Sequence, residues 1–219
     1  MPIVGYILAA ISGYLLGSIP TGFLFGKARG IDIRSVGSGN IGATNVVRAL
    51  GKPAGAFVLL ADALKGWLAV VVTATLLSHW FSPIAGVKTV ATYRIIAGTA
   101  AILGHNYTCW LNFKGGKGIA TSAGVLLALV PLAVLISVGA WILTFLLGRY
   151  VSLASIVAAF VMPFAVWLTP HQIAAMIYVT AALAALAIYK HRANIKRLLN
   201  GTESRFFVKR AAGNVNREM

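Results

Sequence analysis

The chain has 219 residues, 59% of them hydrophobic and only 11% charged, with a mean hydropathy of +0.85. That balance excludes a water-soluble domain, whose surface needs far more charge, and fits a polytopic membrane protein. The net charge of +15 then reports topology and contact with anionic lipid rather than nucleic-acid binding, and the single Cys109 excludes an internal disulfide or a thiolate metal cage.

Residues 3–26 form the first apolar segment, long enough at about 1.5 Å per residue to cross roughly 30 Å of hydrocarbon. No Lys or Arg precedes it, and Lys27 and Arg29 follow it. It therefore reads as a retained helix with its N-terminus outside the cytoplasm, not as a cleaved signal peptide. Near its end stands G-S-I-P-T-G, Gly17 to Gly22, where Pro20 is expected to kink the helix and Ser18 and Thr21 to cover the freed carbonyls. A polar connection, 27–52, leads to apolar segments at 54–78 and 92–112. Residues 113–118, F-K-G-G-K-G, make a compact basic glycine loop. About thirty apolar residues from 119 to 148 are then interrupted by Pro131, and segments 151–168 and 172–190 follow, hinged near Pro170.

The basic residues decide the span count. They cluster in 27–52, 114–117, at Arg149 and in 190–219. All four clusters face the cytoplasm only if an even number of crossings separates each from the next. The 119–148 stretch is then two segments, 119–130 and 131–148. The expectation is an all-α polytopic membrane protein with seven transmembrane helices, N-terminus periplasmic and C-terminus cytoplasmic. Residues 1–219 read as one domain, with 208–219 a tail. Segment 119–130 is too short to cross as a straight helix alone and is expected to be sheltered by its neighbours.

Three polar stretches fall on the cytoplasmic side. The first, Gly37 to Arg48, reads G-S-G-N-I-G-A-T-N-V-V-R. Its Gly37, Gly39 and Gly42 match G-x-G-x-x-G, but a dinucleotide fingerprint needs a strand before it and a parallel sheet around it, which membrane helices do not offer. A flexible interhelical connection is the alternative. The density of donors, with Asp32 the only acid near, favours an anion site in which several backbone N–H groups share one hollow. In the second stretch, Gly115, Gly116, Lys117 and Gly118 open a helix and form a natural phosphate cradle, the alternative being a loop that touches lipid headgroups. The third closes the last helix, where His191 and Asn194 share a face at i, i+3 and snorkelling accounts for the basic residues around them. Asp62 and Lys65, also i, i+3, read either as a purely structural pair or as the floor of a polar cavity, with His105 and Asn106 as supporting partners. His79 and His171 read as bystanders on the opposite face. Four acids in all and dispersed histidines leave no metal site, and no cofactor is expected. The convergence describes a membrane protein that handles a phosphorylated, anionic substrate beside acyl chains.

Together with F-K-G-G-K-G-I-A-T, R-Y-V-S-L-A-S and H-R-x-N-I-K-R-L, the first stretch resembles the bacterial acyl-phosphate:glycerol-3-phosphate acyltransferase family, in order and over nearly the whole chain. The resemblance implies an inner-membrane enzyme with a cytoplasmic active site. It would move an acyl group from acyl phosphate to the sn-1 hydroxyl of glycerol 3-phosphate, giving lysophosphatidic acid for phospholipid biosynthesis. A separate soluble phosphate acyltransferase would supply the acyl phosphate. Carried over by motif, Ser38, Arg48, His191 and Asn194 would be catalytic. Gly39, Asn40, Thr44 and Asn45 would shape the anion hollow, Lys117 and its glycines would hold the phosphate, Ser152 would line the pocket, and Glu203 would be structural. The H-x-x-x-x-D pattern of other glycerolipid acyltransferases is absent. An acyl phosphate is already activated, so binding two phosphates and aligning the reactants is most of the task. The proton acceptor is either His191 or a substrate phosphate oxygen. A transporter would instead show midplane ionisable groups and inverted repeats, and a CDP-alcohol phosphotransferase would need several metal-binding aspartates.

Overall fold

Several helix boundaries fall at proline or glycine, as at Pro20, Gly51, Gly118 and Pro131, although Pro163 lies within a helix that continues through it. The computed structural model describes residues 2–81, 87–170 and 174–206; among them every regular element is helical. Helix α1 spans Pro2–Ser18 and α2 spans Thr21–Ala28, separated at Ile19–Pro20. The expected kink is thus a break. The freed carbonyls are covered differently from the expectation. Thr108 donates to the Ser18 carbonyl at 2.6 Å and Lys65 to that of Ile19 at 2.7 Å, whereas Ser18 donates to Gly104 and Thr21 to Asp62. These partners lie some forty to ninety residues away, so local sequence could not name them.

After the first polar loop, α3 (Ala43–Leu50) turns at Gly51 into α4 (Lys52–Leu68), whose early Pro53 suits a first helical turn. A π-helical turn, Ala69–Thr73, carries α4 into α5 (Ala74–Phe81). Helix α6 covers Val87–Asn106, so the expected third segment ends short of 112. Cys109–Leu111 are apolar but form a 3-10 turn, because the Thr108 hydroxyl accepts the Trp110 N–H and Asn112 adopts a left-handed conformation. Helices α7 (Ile119–Leu129) and α8 (Pro131–Gly148) meet at Pro131, α9 spans Val151–Leu168, and α10 spans Met176–Lys190. Helix α10 stops at His191, and a separate α11 covers Arg192–Leu199. His171 and the tail lie outside the described residues.

Among the described residues, four helical stretches are long and apolar enough to cross a membrane: Ile3–Ala28, Lys52–Phe81, Pro131–Gly148 and Val151–Leu168. Their outward faces carry large apolar side chains such as Leu60, Leu146, Leu147 and Trp167, as a lipid-facing surface requires. Helix α7 is apolar but only 11 residues, about half the hydrocarbon thickness. It packs on α4 with backbone against backbone: a Cβ on Gly66 would strike the Thr121 carbonyl, and one on Gly124 the Ala63 carbonyl. Close approach of this kind holds helices together where water provides no driving force.

Candidate active site

The first loop is held from inside by one side chain. Asn45, on the first turn of α3 and 1% exposed, donates through Nδ2 to the carbonyls of Ile33 (3.0 Å) and Val36 (3.1 Å). Its Oδ1 accepts the Ser38 N–H at 2.8 Å. Gly37 and Gly39 take positive φ, and a Cβ on Gly37 would strike Asn45 Oδ1. The Gly39 N–H goes to Val36 O, and the Gly42 N–H to Asn40 Oδ1 at 2.9 Å. The expected hollow of shared N–H groups is therefore corrected: those of Ser38, Gly39 and Gly42 are used within the loop. Ile33, Ile41 and Val46, fully or nearly buried, fasten the loop to α4, each worth about 1.5–3 kcal/mol. The loop's acid is neutralised locally, because the Arg34 guanidinium, 2.8 Å from Asp32, holds that carboxyl below the usual range. What remains toward the interior is Ser38, Asn40, Thr44 and, one turn along α3, Arg48.

The second loop is also redefined. The Gly116 N–H donates to the His105 carbonyl at 3.0 Å and the Gly115 N–H to that of Asn106 at 3.2 Å, which caps the end of α6. A Cβ on Gly115 would meet the His105 carbonyl, and one on Gly116 the His105 ring. Gly118 has φ 81°, and a Cβ there would come within 2.5 Å of Asn106 Oδ1. These glycines permit contact with α6; Gly115 and Gly116 spend their N–H groups there and do not cradle an anion. The outcome is the placement of Lys117, whose Nζ donates to Asn194 Oδ1 at 2.6 Å.

From Lys117 the network continues. Asn194 Nδ2 donates to Glu203 Oε1 at 2.8 Å, Ser152 Oγ donates to the same oxygen at 2.7 Å, and Arg197 Nε donates to Oε2 at 2.6 Å. Burial pushes the Glu203 carboxyl up, but these three donors outweigh it and hold it low and ionised. Burial, reinforced by the charges of Arg197 and Arg48, lowers Lys117 to about 8. His191 is only 2% exposed, and its Nδ1 lies 2.8 Å from the Ala187 carbonyl, so Nδ1 carries the proton and Nε2 is a bare acceptor. Burial and then the Lys117 charge lower His191 to about 4, leaving it neutral at pH 7. Sequence reading assigned Arg197 only to snorkelling. Its place one turn beyond Asn194 was the available signal. It also missed the segment 204–206, where Arg48 reaches the Ser204 carbonyl at 3.5 Å and Phe206 packs on Phe145.

Beneath the two loops lies the ion pair of α4. Lys65 Nζ contacts Asp62 Oδ1 at 2.7 Å, the Ile19 carbonyl at 2.7 Å and His105 Nδ1 at 3.0 Å. His105 Nδ1 also lies 3.6 Å from Asp62 Oδ1, so the three side chains form one buried polar cluster. The two members of the pair are placed differently. Lys65 is structural, while Asp62 and His105 face the cavity.

That cavity has a volume of about 700 Å³. Ser38, Asn40, Gly42, Thr44, Asn45, Arg48, Asp62 and His105 line it from one side, and Lys117, Gly118, Ser152, His191, Asn194 and Glu203 from the other. Gly37, Gly39, Lys65, Asn106, Gly115 and Gly116 do not line it, and His79 is exposed elsewhere. Arg197 is paired to Glu203 and Lys65 to Asp62, while Arg48, Lys52 and Lys117 bring positive charge to the cavity lining, which suits a dianion. From there an apolar shaft runs between α7, α8, α9 and α10, flanked by the exposed Leu59 and Val138. Such an arrangement has the shape and chemistry to hold a molecule that is phosphate at one end and hydrocarbon at the other.

A family model described as glycerol-3-phosphate acyltransferase matches residues 7–201. The glycerol-3-phosphate acyltransferase of Geotalea daltonii is 47% identical over 200 residues, covering 91% of this chain and 97% of the relative. That of Geobacter sulfurreducens is 45% identical, covering 91% and 96%. Among solved structures, the glycerol 3-phosphate form of PlsY (YgiH), an integral membrane glycerol 3-phosphate acyltransferase, is 41% identical with a TM-score of 0.79, covering 92% of this chain and 95% of that one. Its lysophosphatidic acid form gives 40% and 0.77 with the same coverage.

Proposed function

Since the chain belongs to the glycerol-3-phosphate acyltransferase family, we propose that it transfers an acyl group from acyl phosphate to the sn-1 hydroxyl of glycerol 3-phosphate. The products are lysophosphatidic acid and inorganic phosphate. The observation that carries this reading is the junction of Arg48, Lys117 and the His191–Asn194–Glu203 group with an apolar shaft. Glycerol 3-phosphate occupies the polar end, its phosphate between Lys117 and Arg48. The acyl phosphate lies with its chain in the shaft and its carbonyl toward the hydroxyl.

The hydroxyl oxygen attacks the carbonyl carbon, and the bond to the leaving phosphate breaks as the tetrahedral species collapses. Arg48 and Lys117 stabilise the charge that develops on the oxyanion and the departing phosphate. Ser38, Asn40, Gly42 and Thr44 bound the space in which that charge forms, and Gly37, Gly39 and Asn45 hold the loop's shape. Glu203 and Ser152 orient Asn194, which orients Lys117. For the proton, two bases compete. His191 Nε2 is free but sits at about 4, whereas a phosphate oxygen titrates near about 6 and is the stronger base. This comparison favours a substrate phosphate as acceptor, with His191 as a hydrogen-bond partner.

In this reading the helices make seven crossings of a bacterial inner membrane, with the N-terminus periplasmic and the site cytoplasmic, and α7 is sheltered by α4. A soluble phosphate acyltransferase supplies the donor. The test offers purified protein labelled glycerol 3-phosphate with palmitoyl phosphate, palmitoyl-CoA or palmitoyl-carrier protein. Lysophosphatidic acid from the acyl phosphate alone, lost in Arg48→Ala and Lys117→Ala, is expected. No product from any donor, with glycerol 3-phosphate accumulating inside proteoliposomes, would overturn the reading in favour of a transporter.

A further inference from the structure

The apolar shaft ends at one level on every helix that builds it. On α9 the cavity-lining positions descend from Ser152 through Ser155 and Ala159 to Met162, and the next turn, Ala165 and Val166, is buried in the core below. On α10 they descend from His191 through Ala187 and Ala184 to Thr180, below which Met176 is 0% exposed. On α8 the stripe stops at Val134 and on α7 at Leu126, with Val130 and Ala133 packed beneath. On α9 and α10 most mid-shaft positions are small (Ser155, Ala158, Ala159, Ala184 and Ala187), and the end on α9 is closed by the larger Met162. Met162 is 9% exposed and fixed in place, because the Ser137 hydroxyl donates to its Sδ at 3.7 Å.

We propose that Met162, backed by Leu126, Val134 and Thr180, is a floor that sets how long an acyl chain the cavity accommodates. The proposal rests on the acyltransferase reading above for the identity of the chain's owner. Ser152 to Met162 is ten residues and His191 to Thr180 eleven, so the floor lies about 15–17 Å below the reacting groups. An extended chain with bonds of about 1.5 Å advances about 1.25 Å per carbon, so roughly twelve or thirteen carbons reach the floor. A longer chain must bend within the shaft or leave it past Leu59 and Val138. Because each newly buried methylene is worth about fourfold in affinity, contact with the floor is visible as the length at which that gain stops.

The test measures binding of non-reacting n-alkyl phosphates of about 8 to about 20 carbons, the probes whose gain per methylene is in question. Wild type, Met162→Ala and Ala159→Leu are compared, and acyl transfer from acyl phosphates of the same lengths is followed in parallel. In wild type the affinity rises about fourfold per carbon to roughly thirteen carbons and then levels. Met162→Ala, which removes three heavy atoms from the floor, moves the break to longer chains by about three carbons. Ala159→Leu, one turn higher on the stripe, moves it to shorter chains by a similar amount. Either variant alone decides the matter, should the other fail to fold. A break at the same length in all three proteins, or affinity that climbs with no break, overturns the floor. A break that moves as described in protein that makes no lysophosphatidic acid leaves the floor standing and refutes the acyltransferase reading instead.

Discussion

Replacing Glu203 by Gln should move the alkaline limb of activity by more than a pH unit, because Glu203 acts on Lys117 across Asn194. Lys117 holds its proton only up to about 8, and one of the influences keeping it that high is the Glu203 carboxylate. Lys117 Nζ to Asn194 Oδ1 is 2.6 Å and Asn194 Nδ2 to Glu203 Oε1 is 2.8 Å. With the amide between them, the two charges lie within about 8 Å of each other. At an effective dielectric of about 20, that separation gives at least about 2 kcal/mol, or about 1.5 units on the Lys117 proton equilibrium. In the proposed site the protonated lysine is the phosphate-binding form, so kcat/KM should be full below the Lys117 pKa and lost as pH rises through it. The wild-type profile should fall with a midpoint near 8, and Glu203→Gln should fall near about 6.5. Ser152→Ala removes one hydrogen bond but keeps the carboxylate, and its limb should coincide with wild type. Lys117→Arg, always charged, should lose the limb altogether. Stability runs the opposite way. Between about 8 and 10.5 the unfolded chain binds a proton that folded Lys117 lacks, so the protein gains up to about 3 kcal/mol across that window while activity declines. Profiles for Glu203→Gln and wild type that superimpose would refute the coupling.

Three further outcomes follow from the packing. Gly116→Ala drives a Cβ into the His105 ring and should cost about 2–4 kcal/mol, seen as a lowered thermal midpoint in detergent together with loss of turnover. Asn45→Ala frees two carbonyls and one N–H, so about 2–3 kcal/mol of stability should go, with KM for the phosphorylated substrate rising as the loop detaches from α3. Lys65→Met leaves Asp62 charged and buried, at about 3–5 kcal/mol; the double variant Asp62→Leu/Lys65→Met should recover most of that stability but not the activity, because Asp62 faces the cavity. Equal stability of the single and double variants, by thermal inactivation, would contradict the pairing.

The helices were legible because apolar run length and proline placement are local properties. The division at Pro131 between α7 and α8 follows from the missing N–H of proline, and so does the break at Pro20. The end of α6 was not legible. Cys109, Trp110 and Leu111 are as apolar as the helix before them, and the chain turns there through the Thr108 hydroxyl, engaged with Ser18 ninety residues away, and the left-handed Asn112. The residues of the three polar stretches could likewise be singled out by type and spacing, since donors concentrated in an apolar chain have few structural reasons to be there.

What the sequence determined by itself is therefore the material: a helical membrane chain, its basic face, and the side chains available to an anionic substrate. Which donors face the cavity was decided by tertiary contact. The Gly115 and Gly116 N–H groups are equivalent on paper to those of any phosphate loop, yet the carbonyls of His105 and Asn106 stand in front of them, and Lys117 is presented instead. A backbone donor bonds whichever acceptor the fold brings within about 3 Å, and for these loops that acceptor comes from a helix remote in sequence.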